Sequence, residues 1–213
     1  MASVEQVDIP APHGILEGLL RVDAAVPPAP LAALVCHPHP LGQGTMHNKV
    51  VFTLAKALNA AGVPALRFNF RGVGRSTGAY ANGIGESEDV RTALDWLAAR
   101  YPQTPLLLAG FSFGAWVGLP VGCADARVTH LLGAGVPTGT LDVAPLDECR
   151  KPKLIVQGAQ DEYSPLPALH AWYAGVAEPK TLRVIDDTSH FFTGKLDELA
   201  AIVTTWVRER LRA

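Results

Sequence analysis

Three side chains of the types that serve nucleophilic catalysis stand far apart in the chain, each shortly after an apolar segment. Ser112 is the centre of Gly110-Phe-Ser-Phe-Gly114, which matches Gly-x-Ser-x-Gly, and Asp161 and His190 follow later. A serine hydroxyl is a weak nucleophile at its own pKa, so it requires a base that takes its proton and a third group that orients the base. The three residue types together predict acyl transfer through a serine nucleophile.

The residues around Ser112 predict a strand, a sharp turn and a helix. The apolar segment 106–109 runs into the Gly-x-Ser-x-Gly pattern, and a second apolar segment follows at once. The two glycines leave room for a strained turn that would expose the hydroxyl of Ser112 above a sheet edge. Taken alone, the five-residue motif is also compatible with an ordinary turn serine.

The expected partners of Ser112 follow from a rule about parallel sheets, in which functional groups collect on loops at the carboxyl ends of the strands. The predicted strand 154–157 ends shortly before Asp161, and the predicted strand 181–185 ends shortly before His190. The order serine, aspartate, histidine is that of a nucleophile-elbow hydrolase. We expect His190 to act as general base and acid, and Asp161 to orient its ring.

Other carboxylates compete with Asp161 for this third role. Glu162 is its neighbour in the same loop, and Asp186 and Asp187 precede His190 by only a few residues. The aspartate pair is too close in sequence to His190 to approach its ring as easily as a residue from the neighbouring strand. Asp161 is therefore preferred, although it could also bond its own turn backbone, as loop aspartates often do.

The negative charge of a tetrahedral intermediate requires hydrogen-bond donors, and two backbone N–H groups are candidates. Phe113 follows the nucleophile at the start of a helix and is expected to supply one donor. The second should come from the loop after the predicted strand 31–36, whose sequence is His-Pro-His-Pro-Leu. Proline has no N–H, which leaves His39 and Leu41, and we favour His39.

Two other patterns predict different chemistry. His37 and His39 lie two residues apart, with His47 as a possible third ligand, which is a pattern of metal sites. No aspartate or glutamate stands nearby in sequence, and we expect no metal. The loop Gly72–Gly78 resembles a nucleotide-binding loop, but its third glycine falls one residue late for Gly-x-Gly-x-x-Gly and no Gly-Lys-Ser/Thr ending follows. We expect this loop to form tight turns beside the site.

Apolar segments that read as strands alternate with segments that have helical periodicity, which indicates a mainly parallel, doubly wound sheet with helices on both faces. Two strands near the N-terminus are joined at Ala-Pro-His-Gly and predict a hairpin at a sheet edge. Ser164 and Pro165 predict the N-cap and first residue of a late helix. The connection 135–152 is short, so we expect one domain over 1–213 without an inserted cap domain.

Composition narrows the class of protein further. The chain has 213 residues, a formal net charge of -2 and three cysteines without metal-type spacing. The near-neutral net charge favours neither nucleic acid nor an anionic membrane as a partner. An odd number of cysteines within apolar sequence indicates buried thiols in a reducing compartment. No charged residue lies between Arg100 and Asp125. Prolines inside and in front of this stretch argue against a membrane helix, and its regularly spaced glycines predict a helix packed closely on a sheet. We expect a cytoplasmic location.

Five motifs together resemble the small, capless bacterial α/β-hydrolases related to dienelactone hydrolase. They are Cys36-His-Pro-His-Pro40, Arg67-Phe-Asn-Phe-Arg-Gly-Val-Gly-Arg-Ser76, Gly110-Phe-Ser-Phe-Gly114, Gly158-Ala-Gln-Asp161 and Ser189-His-Phe191, and they follow the family's order over nearly the whole chain. The resemblance implies an α/β-hydrolase fold with about eight strands and esterase-type acyl transfer. Dienelactone hydrolases use a cysteine nucleophile where this chain has Ser112, so dienelactone is not expected as the substrate.

These observations predict a carboxylic-ester hydrolase, with thioesters, lactones and peptides open as alternatives within the same chemistry. We expect no cofactor, a small-molecule ester as the substrate, and a monomer or homodimer. The acyl pocket is expected from loops such as 41–47, 78–85 and 137–149, and its candidate side chains are His37, Leu41, Phe111 and Phe191. A catalytically silent binding protein with the hydrolase fold, and a nucleotide-binding protein using the loop Gly72–Gly78, are the competing interpretations.

Overall fold

The computed structural model describes residues 2–143 and 146–212, so Ala144 and Pro145 of the predicted pocket loop lie outside the described residues. The elements in chain order are β1 (Ala2–Ala11), β2 (Gly14–Asp23), β3 (Ala32–Cys36), a 3-10 turn (Pro40–Gly42), α1 (Lys49–Ala60), β4 (Ala65–Phe68), α2 (Ile84–Arg100), β5 (Leu106–Phe111), α3 (Phe113–Ala124), β6 (Val128–Ala134), β7 (Lys153–Gly158), α4 (Leu166–Gly175), β8 (Lys180–Ile185) and α5 (Leu196–Arg210).

The eight strands form one sheet in the order β1-β2-β4-β3-β5-β6-β7-β8. β1 and β2 form the predicted antiparallel hairpin, and β2 is also antiparallel to β4. From β4 to β8 every neighbouring pair is parallel, so the carboxyl ends of these strands meet at one edge of the sheet. The expected α/β-hydrolase fold, a mostly parallel sheet with helices on both faces, is confirmed.

Both faces of the central strands are buried, which explains their uninterrupted apolar sequences. Side chains of a strand point alternately to opposite faces. In β5, Leu106 and Leu108 belong to one core cluster, whereas Leu107, Ala109 and Phe111 belong to the other. The second cluster contains the inward faces of α1 and α5, and the first contains those of α2 and α3. A strand covered on both faces needs no polar alternation.

The uncharged stretch around Ser112 folds into β5 and α3 rather than into a membrane helix. A Cβ atom at Gly118 would lie 2.9 Å from a methyl carbon of Leu108, and one at Gly122 would lie 2.7 Å from a methyl carbon of Leu131. The glycines therefore let α3 pack closely on the sheet, as the sequence predicted. Within the described part of the chain, every helix is too short or too polar to cross a bilayer.

One helix start differs from the expectation. α4 begins at Leu166 with Pro165 at its N-cap, one residue later than the sequence suggested. Ser164 does not cap the helix, because its hydroxyl is hydrogen-bonded to the hydroxyl of Thr138 in the loop after β6. A serine before a proline predicts a cap only when no tertiary partner competes for its oxygen.

Candidate active site

Ser112 occupies a strained turn between β5 and α3. Its backbone has φ 55° and ψ -122°, and its N–H donates to the carbonyl of Ala134 at 3.0 Å. A non-glycine residue with positive φ is uncommon and is retained where the surroundings impose it. Here the surroundings are close-packed: a Cβ at Gly114 would lie 2.5 Å from the carbonyl oxygen of Cys36, and one at Gly110 would lie 2.5 Å from the backbone nitrogen of Ala115. The two glycines of the motif thus bring α3 against β3 and β5.

The structure brings Ser112, His190 and Asp161 together in one hydrogen-bonded chain. His190 Nε2 lies 2.8 Å from Ser112 Oγ, and His190 Nδ1 lies 2.8 Å from Asp161 Oδ2. A carboxylate accepts hydrogen bonds only, so the neutral imidazole places its proton on Nδ1. Nε2 is then the acceptor and faces the hydroxyl of Ser112. The three residues come from loops after β5, β7 and β8, as expected from the sequence.

Asp161 is almost completely buried and its two oxygens are both used. Oδ1 accepts the backbone N–H of Tyr163 at 2.8 Å, and Oδ2 accepts both His190 Nδ1 and the side-chain amide of Gln157, the latter at 2.5 Å. Asp161 therefore bonds its own turn and the histidine at the same time.

The rival carboxylates do not bond the ring of His190. Glu162 accepts the backbone N–H of His190 at 3.4 Å, and Asp186 and Asp187 are exposed.

Aromatic rings enclose the imidazole of His190. Phe111 lies 4.9 Å from it between ring centroids, Tyr163 lies 4.6 Å away, and Phe191 makes an edge contact at 5.2 Å. Gly135 completes the enclosure, because a Cβ there would lie 3.2 Å from His190 Nδ1. The ring is consequently held in one orientation by packing as well as by Asp161.

His37 fixes the loop after β3 and is not exposed to a substrate. Its side chain is fully buried, its Nδ1–H donates to the carbonyl of Pro38 at 2.6 Å, and its Nε2 accepts the backbone N–H of Phe70 at 3.0 Å. Burial lowers the pKa of His37 to about 4, so the ring is neutral near pH 7 and can accept from Phe70. Both ring nitrogens are occupied by backbone groups.

His39 and Phe113 line the same cavity as Ser112. Phe113 is the first residue of α3, where an amide N–H has no partner inside the helix. Among the described residues, neither the N–H of Phe113 nor that of His39 has a hydrogen-bond partner. The side chain of His39 is held separately: Nδ1 accepts the N–H of Leu41 at 3.2 Å, and Nε2 contacts the hydroxyl of Tyr80 at 3.3 Å. Partial burial lowers the pKa of His39, and the charge of Glu86 opposes this effect.

The loop Gly72–Gly78 is engaged in contacts within the protein. Arg71 pairs with the buried carboxylate of Asp89 at 2.8 Å, and the hydroxyl of Ser76 donates to the carbonyl of Asn69 at 2.7 Å. The amide of Asn69 in turn accepts the N–H of Met46 at 2.8 Å. The glycine-rich motif thus supports the turn that precedes α1, as expected for a structural loop. No cluster of three or more metal-binding side chains occurs within residues 2–143 and 146–212.

A cavity of about 370 Å³ opens beside Ser112. Of the four predicted pocket side chains, only Phe191 lines it. His37 and Phe111 are fully buried, and Phe111 lies beneath the ring of His190. Leu41 is 72% exposed but does not line the cavity, because the 3-10 turn Pro40–Gly42 carries it outward. The full set of lining residues is Pro38, His39, Gly42, Gln43, Gly44, Asn48, Ser112, Phe113, Pro137, Thr140, Leu141, Tyr163, His190 and Phe191.

Comparison with known proteins agrees with this geometry. The family model described as serine aminopeptidase, S33 (Hydrolase_4) matches residues 34–135. A structure described as an α/β serine hydrolase homologue from Coxiella burnetii is 41% identical, covers 94% of this chain and 96% of that chain, and superposes with a TM-score of 0.89. This chain belongs to the α/β serine hydrolases.

Two further relatives match the hydrolase over almost its whole length. A structure from Xanthomonas campestris, described as an α/β serine hydrolase without a lid, is 36% identical, with a TM-score of 0.91 and coverage of 99% of this chain and 96% of that chain. An uncharacterised protein of Rickettsia prowazekii is 35% identical over 211 residues, which are 95% of this chain and 88% of the relative. The similarity to a lidless structure agrees with the short connection between β6 and β7.

Sequence reasoning missed two residues at the site of the hydrolase. Tyr163 packs on His190 and lines the cavity, and Gln157 bonds Asp161 from within β7. Gln157 carried a usable signal, because it is a polar residue at the end of an otherwise apolar buried strand. An unpaired buried amide is costly, so such a residue implies a polar partner nearby.

Proposed function

We propose that the hydrolase cleaves small, uncharged carboxylic esters through an acyl-enzyme on Ser112. The observation that carries the proposal is the chain of two 2.8 Å contacts from Ser112 Oγ through His190 to Asp161 Oδ2. This chain supplies a nucleophile, a base and an orienting carboxylate in hydrogen-bond reach of one another, which is the requirement for activating a serine.

In the first half of the reaction, Ser112 Oγ forms a bond to the ester carbonyl carbon while His190 Nε2 takes the hydroxyl proton. The carbonyl electron pair moves to the oxygen, giving a tetrahedral oxyanion. The imidazolium is stabilised by Asp161, which remains ionised and accepts from Nδ1. When the bond to the leaving alcohol breaks, Nε2 returns its proton to the alcohol oxygen, and the acyl group stays on Ser112.

In the second half, a water molecule takes the place of the alcohol. His190 Nε2 removes a proton from this water as its oxygen bonds to the acyl carbon, and a second tetrahedral oxyanion forms. Collapse of the oxyanion breaks the bond to Ser112 Oγ, which regains the proton from His190. The products are a carboxylic acid and an unmodified enzyme, so the same three residues serve both halves.

The N–H groups of Phe113 and His39 are proposed as the donors to the oxyanion. Both residues line the cavity with Ser112, and both N–H groups lack a partner among the described residues. Unpaired donors that wait at the position of developing charge lower the barrier without reorganising during the reaction. Leu41 is a poorer candidate, because its N–H already donates to the ring of His39.

The lining of the cavity supports a neutral substrate. Among the described residues, no lysine, arginine, aspartate or glutamate lines it. Apolar and aromatic groups from Pro137, Leu141, Tyr163 and Phe191 form much of the wall. A substrate that carries a carboxylate would lose its hydration here without gaining a cation. Thioesters and lactones would use the same chemistry and need the same neutral character.

Replacing Ser112 with alanine tests the proposal. The variant should lose turnover of a short-chain aryl ester such as p-nitrophenyl acetate while keeping the circular-dichroism spectrum and melting temperature of the wild type. Ser3→Ala, on the exposed face of β1, is the matched control and should keep full activity. Undiminished ester hydrolysis by a folded Ser112→Ala protein would contradict the proposal.

A further inference from the structure

Gln157 is a buried amide that connects the proposed catalytic carboxylate to the strand next to it. It lies near the end of β7 and its side chain is fully buried. The amide oxygen accepts the backbone N–H of Val136 at 3.0 Å, just after β6. The amide nitrogen donates to Asp161 Oδ2 at 2.5 Å. Because the N–H of Val136 requires an acceptor, the amide can adopt only the orientation that points its NH₂ group at Asp161.

The contact falls on the oxygen that serves His190. Asp161 Oδ2 accepts from both His190 Nδ1 and Gln157 Nε2, while Oδ1 accepts the N–H of Tyr163. Within the described residues, the ion pair of Asp161 is with His190, and no lysine or arginine pairs with it. Uncharged donors therefore fix the direction of the carboxylate without neutralising the charge that the imidazolium needs.

We propose that Gln157 is a positioning residue for the hydrolysis. Its amide holds Asp161 Oδ2 in line with His190 Nδ1 and links Asp161 to the backbone N–H of Val136, just after β6. The inference rests on the proposed function. Without Gln157, the contact of Oδ1 with the N–H of Tyr163 is what orients the side chain of Asp161 besides His190 itself, so Oδ2 is held less firmly in line with His190 Nδ1. The segment that follows β6 contains Pro137, Thr140 and Leu141, which line the cavity. The amide of Gln157 therefore also connects Asp161 to the wall of the cavity.

Glutamine suits this position better than similar residues. Glutamate would accept the N–H of Val136, but its second oxygen would face Asp161 Oδ2 at a distance where two carboxylates must share a proton. Methionine has a similar length but neither donates nor accepts effectively, which would leave the N–H of Val136 unpaired. The two substitutions Gln157→Glu and Gln157→Met therefore separate charge from the loss of the amide.

The closing experiment measures kcat, KM and the pH profile of kcat/KM for Gln157→Met with a neutral aryl ester. We expect kcat to fall about tenfold to a hundredfold, the range found when a hydrogen-bonded partner that orients a metal-bound ligand is removed, with little change in KM. The acid limb should move to lower pH, because a carboxylate that is no longer held in line with His190 Nδ1 stabilises the imidazolium less. Gln157→Glu should lower kcat as well, because its carboxylate can donate to Asp161 Oδ2 only when it holds the shared proton. The other groups at the pair, Glu162 and the Tyr163 ring, are unchanged in both variants.

Two controls separate positioning from general destabilisation. Gln160→Met makes the same substitution at an exposed position in the loop after β7 and should behave as wild type. Asn59→Leu removes a buried amide far from the site, where it donates to the carbonyls of Arg21 and Val63. It should lower the melting temperature but leave kcat and the pH profile unchanged. A Gln157→Met enzyme with wild-type kcat and pH profile would overturn the proposal.

A direct spectroscopic readout keeps this test independent of the proposed function. The low-field proton NMR signal of His190 Nδ1–H reports the contact with Asp161 whether or not an ester is turned over. It should shift in Gln157→Met and stay in place in Gln160→Met, and an unshifted signal contradicts the positioning role. If the wild type hydrolyses no ester in a panel of varied acyl length, the proposed function fails, while the NMR comparison still decides the role of Gln157.

Discussion

Protonation of His37 should destabilise the folded protein in mild acid. In the folded state, burial holds the pKa of His37 at about 4, whereas the same side chain in the unfolded chain titrates near the ordinary value of about 6.5. The unfolded state therefore binds the proton more tightly. The contribution of neutral His37 to the free energy of unfolding is fully present above about pH 6.5 and is lost as the pH falls from about 6.5 to about 4.

The size of the effect follows from these two values. Each tenfold difference in proton affinity corresponds to about 1.36 kcal/mol, so His37 alone removes about 3 kcal/mol of unfolding free energy over this pH range. That is a large part of the roughly 5–15 kcal/mol by which most domains are stable. For a chain of this length it corresponds to a decrease in melting temperature of roughly 6–12 °C.

Urea unfolding followed by tryptophan fluorescence from pH 4.5 to 7.5 measures this loss. His37→Gln is the informative variant, because its amide oxygen can still accept the N–H of Phe70 but does not titrate. It should cost about 1 kcal/mol at pH 7 from the lost bond to Pro38, and its stability should fall less steeply with acid than that of the wild type. His170→Gln, at an exposed position on α4, is the matched control.

The comparison isolates His37 from other titrating groups. Burial also lowers the pKa of His39 and of His130, which produces acid sensitivity of the same sign. Both groups are present in the wild type and in His37→Gln, so the difference between the two slopes belongs to His37. Parallel pH dependences for these two proteins would refute the assignment of a neutral, buried His37.

Three further outcomes are expected. Asp161→Asn should lower kcat for a neutral aryl ester by about 10⁴-fold with the fold intact, because an amide favours the wrong tautomer of His190. Gly114→Ala should lower the unfolding free energy by about 1–3 kcal/mol, since its Cβ would lie 2.5 Å from the carbonyl oxygen of Cys36, whereas Gly175→Ala, with no atom within 4 Å, should not. Incubation with EDTA should leave kcat unchanged, because the proposed steps move protons only through His190.

Each of these outcomes has a clear opposite. Substantial activity in Asp161→Asn would assign the orienting role to another acid, with Glu162 the nearest candidate. Equal stability of the Gly114→Ala and Gly175→Ala proteins would contradict the close packing of α3 on β3. Loss of turnover in EDTA that zinc restores would revive the metal interpretation of the two histidines after β3.

The sequence was sufficient to predict the fold and to predict that Ser112, Asp161 and His190 lie together. Strands covered on both faces produce long apolar segments, and parallel strands place their following loops at one edge, so the approximate positions of Ser112, Asp161 and His190 follow from strand order alone. These properties depend on periodicity and topology, which a single sequence records. The elbow motif added the direction of the turn, because only glycines allow α3 to approach β3 and β5 so closely.

The cavity wall could not be predicted in the same way. Side-chain direction in an irregular loop depends on its backbone angles, which the sequence does not specify. The 3-10 turn at Pro40–Gly42 directs Leu41 to solvent, and His37 turns inward to bond Phe70. Phe111 lies under His190 because strand alternation directs it to the face of α1 and α5. The contact of Tyr163 with His190 likewise depends on the backbone path of the loop after β7, which the sequence does not specify.

Labelling with a serine-directed fluorophosphonate tests the central claim most directly, because it requires an activated Ser112 and no knowledge of the natural ester. Peptide mass spectrometry of the native wild-type protein should place one phosphonyl group on Ser112, and labelling should be absent from Ser112→Ala and strongly slowed in Asp161→Asn. Native protein that remains unlabelled at Ser112 would contradict the account and favour a binding protein that keeps the hydrolase fold.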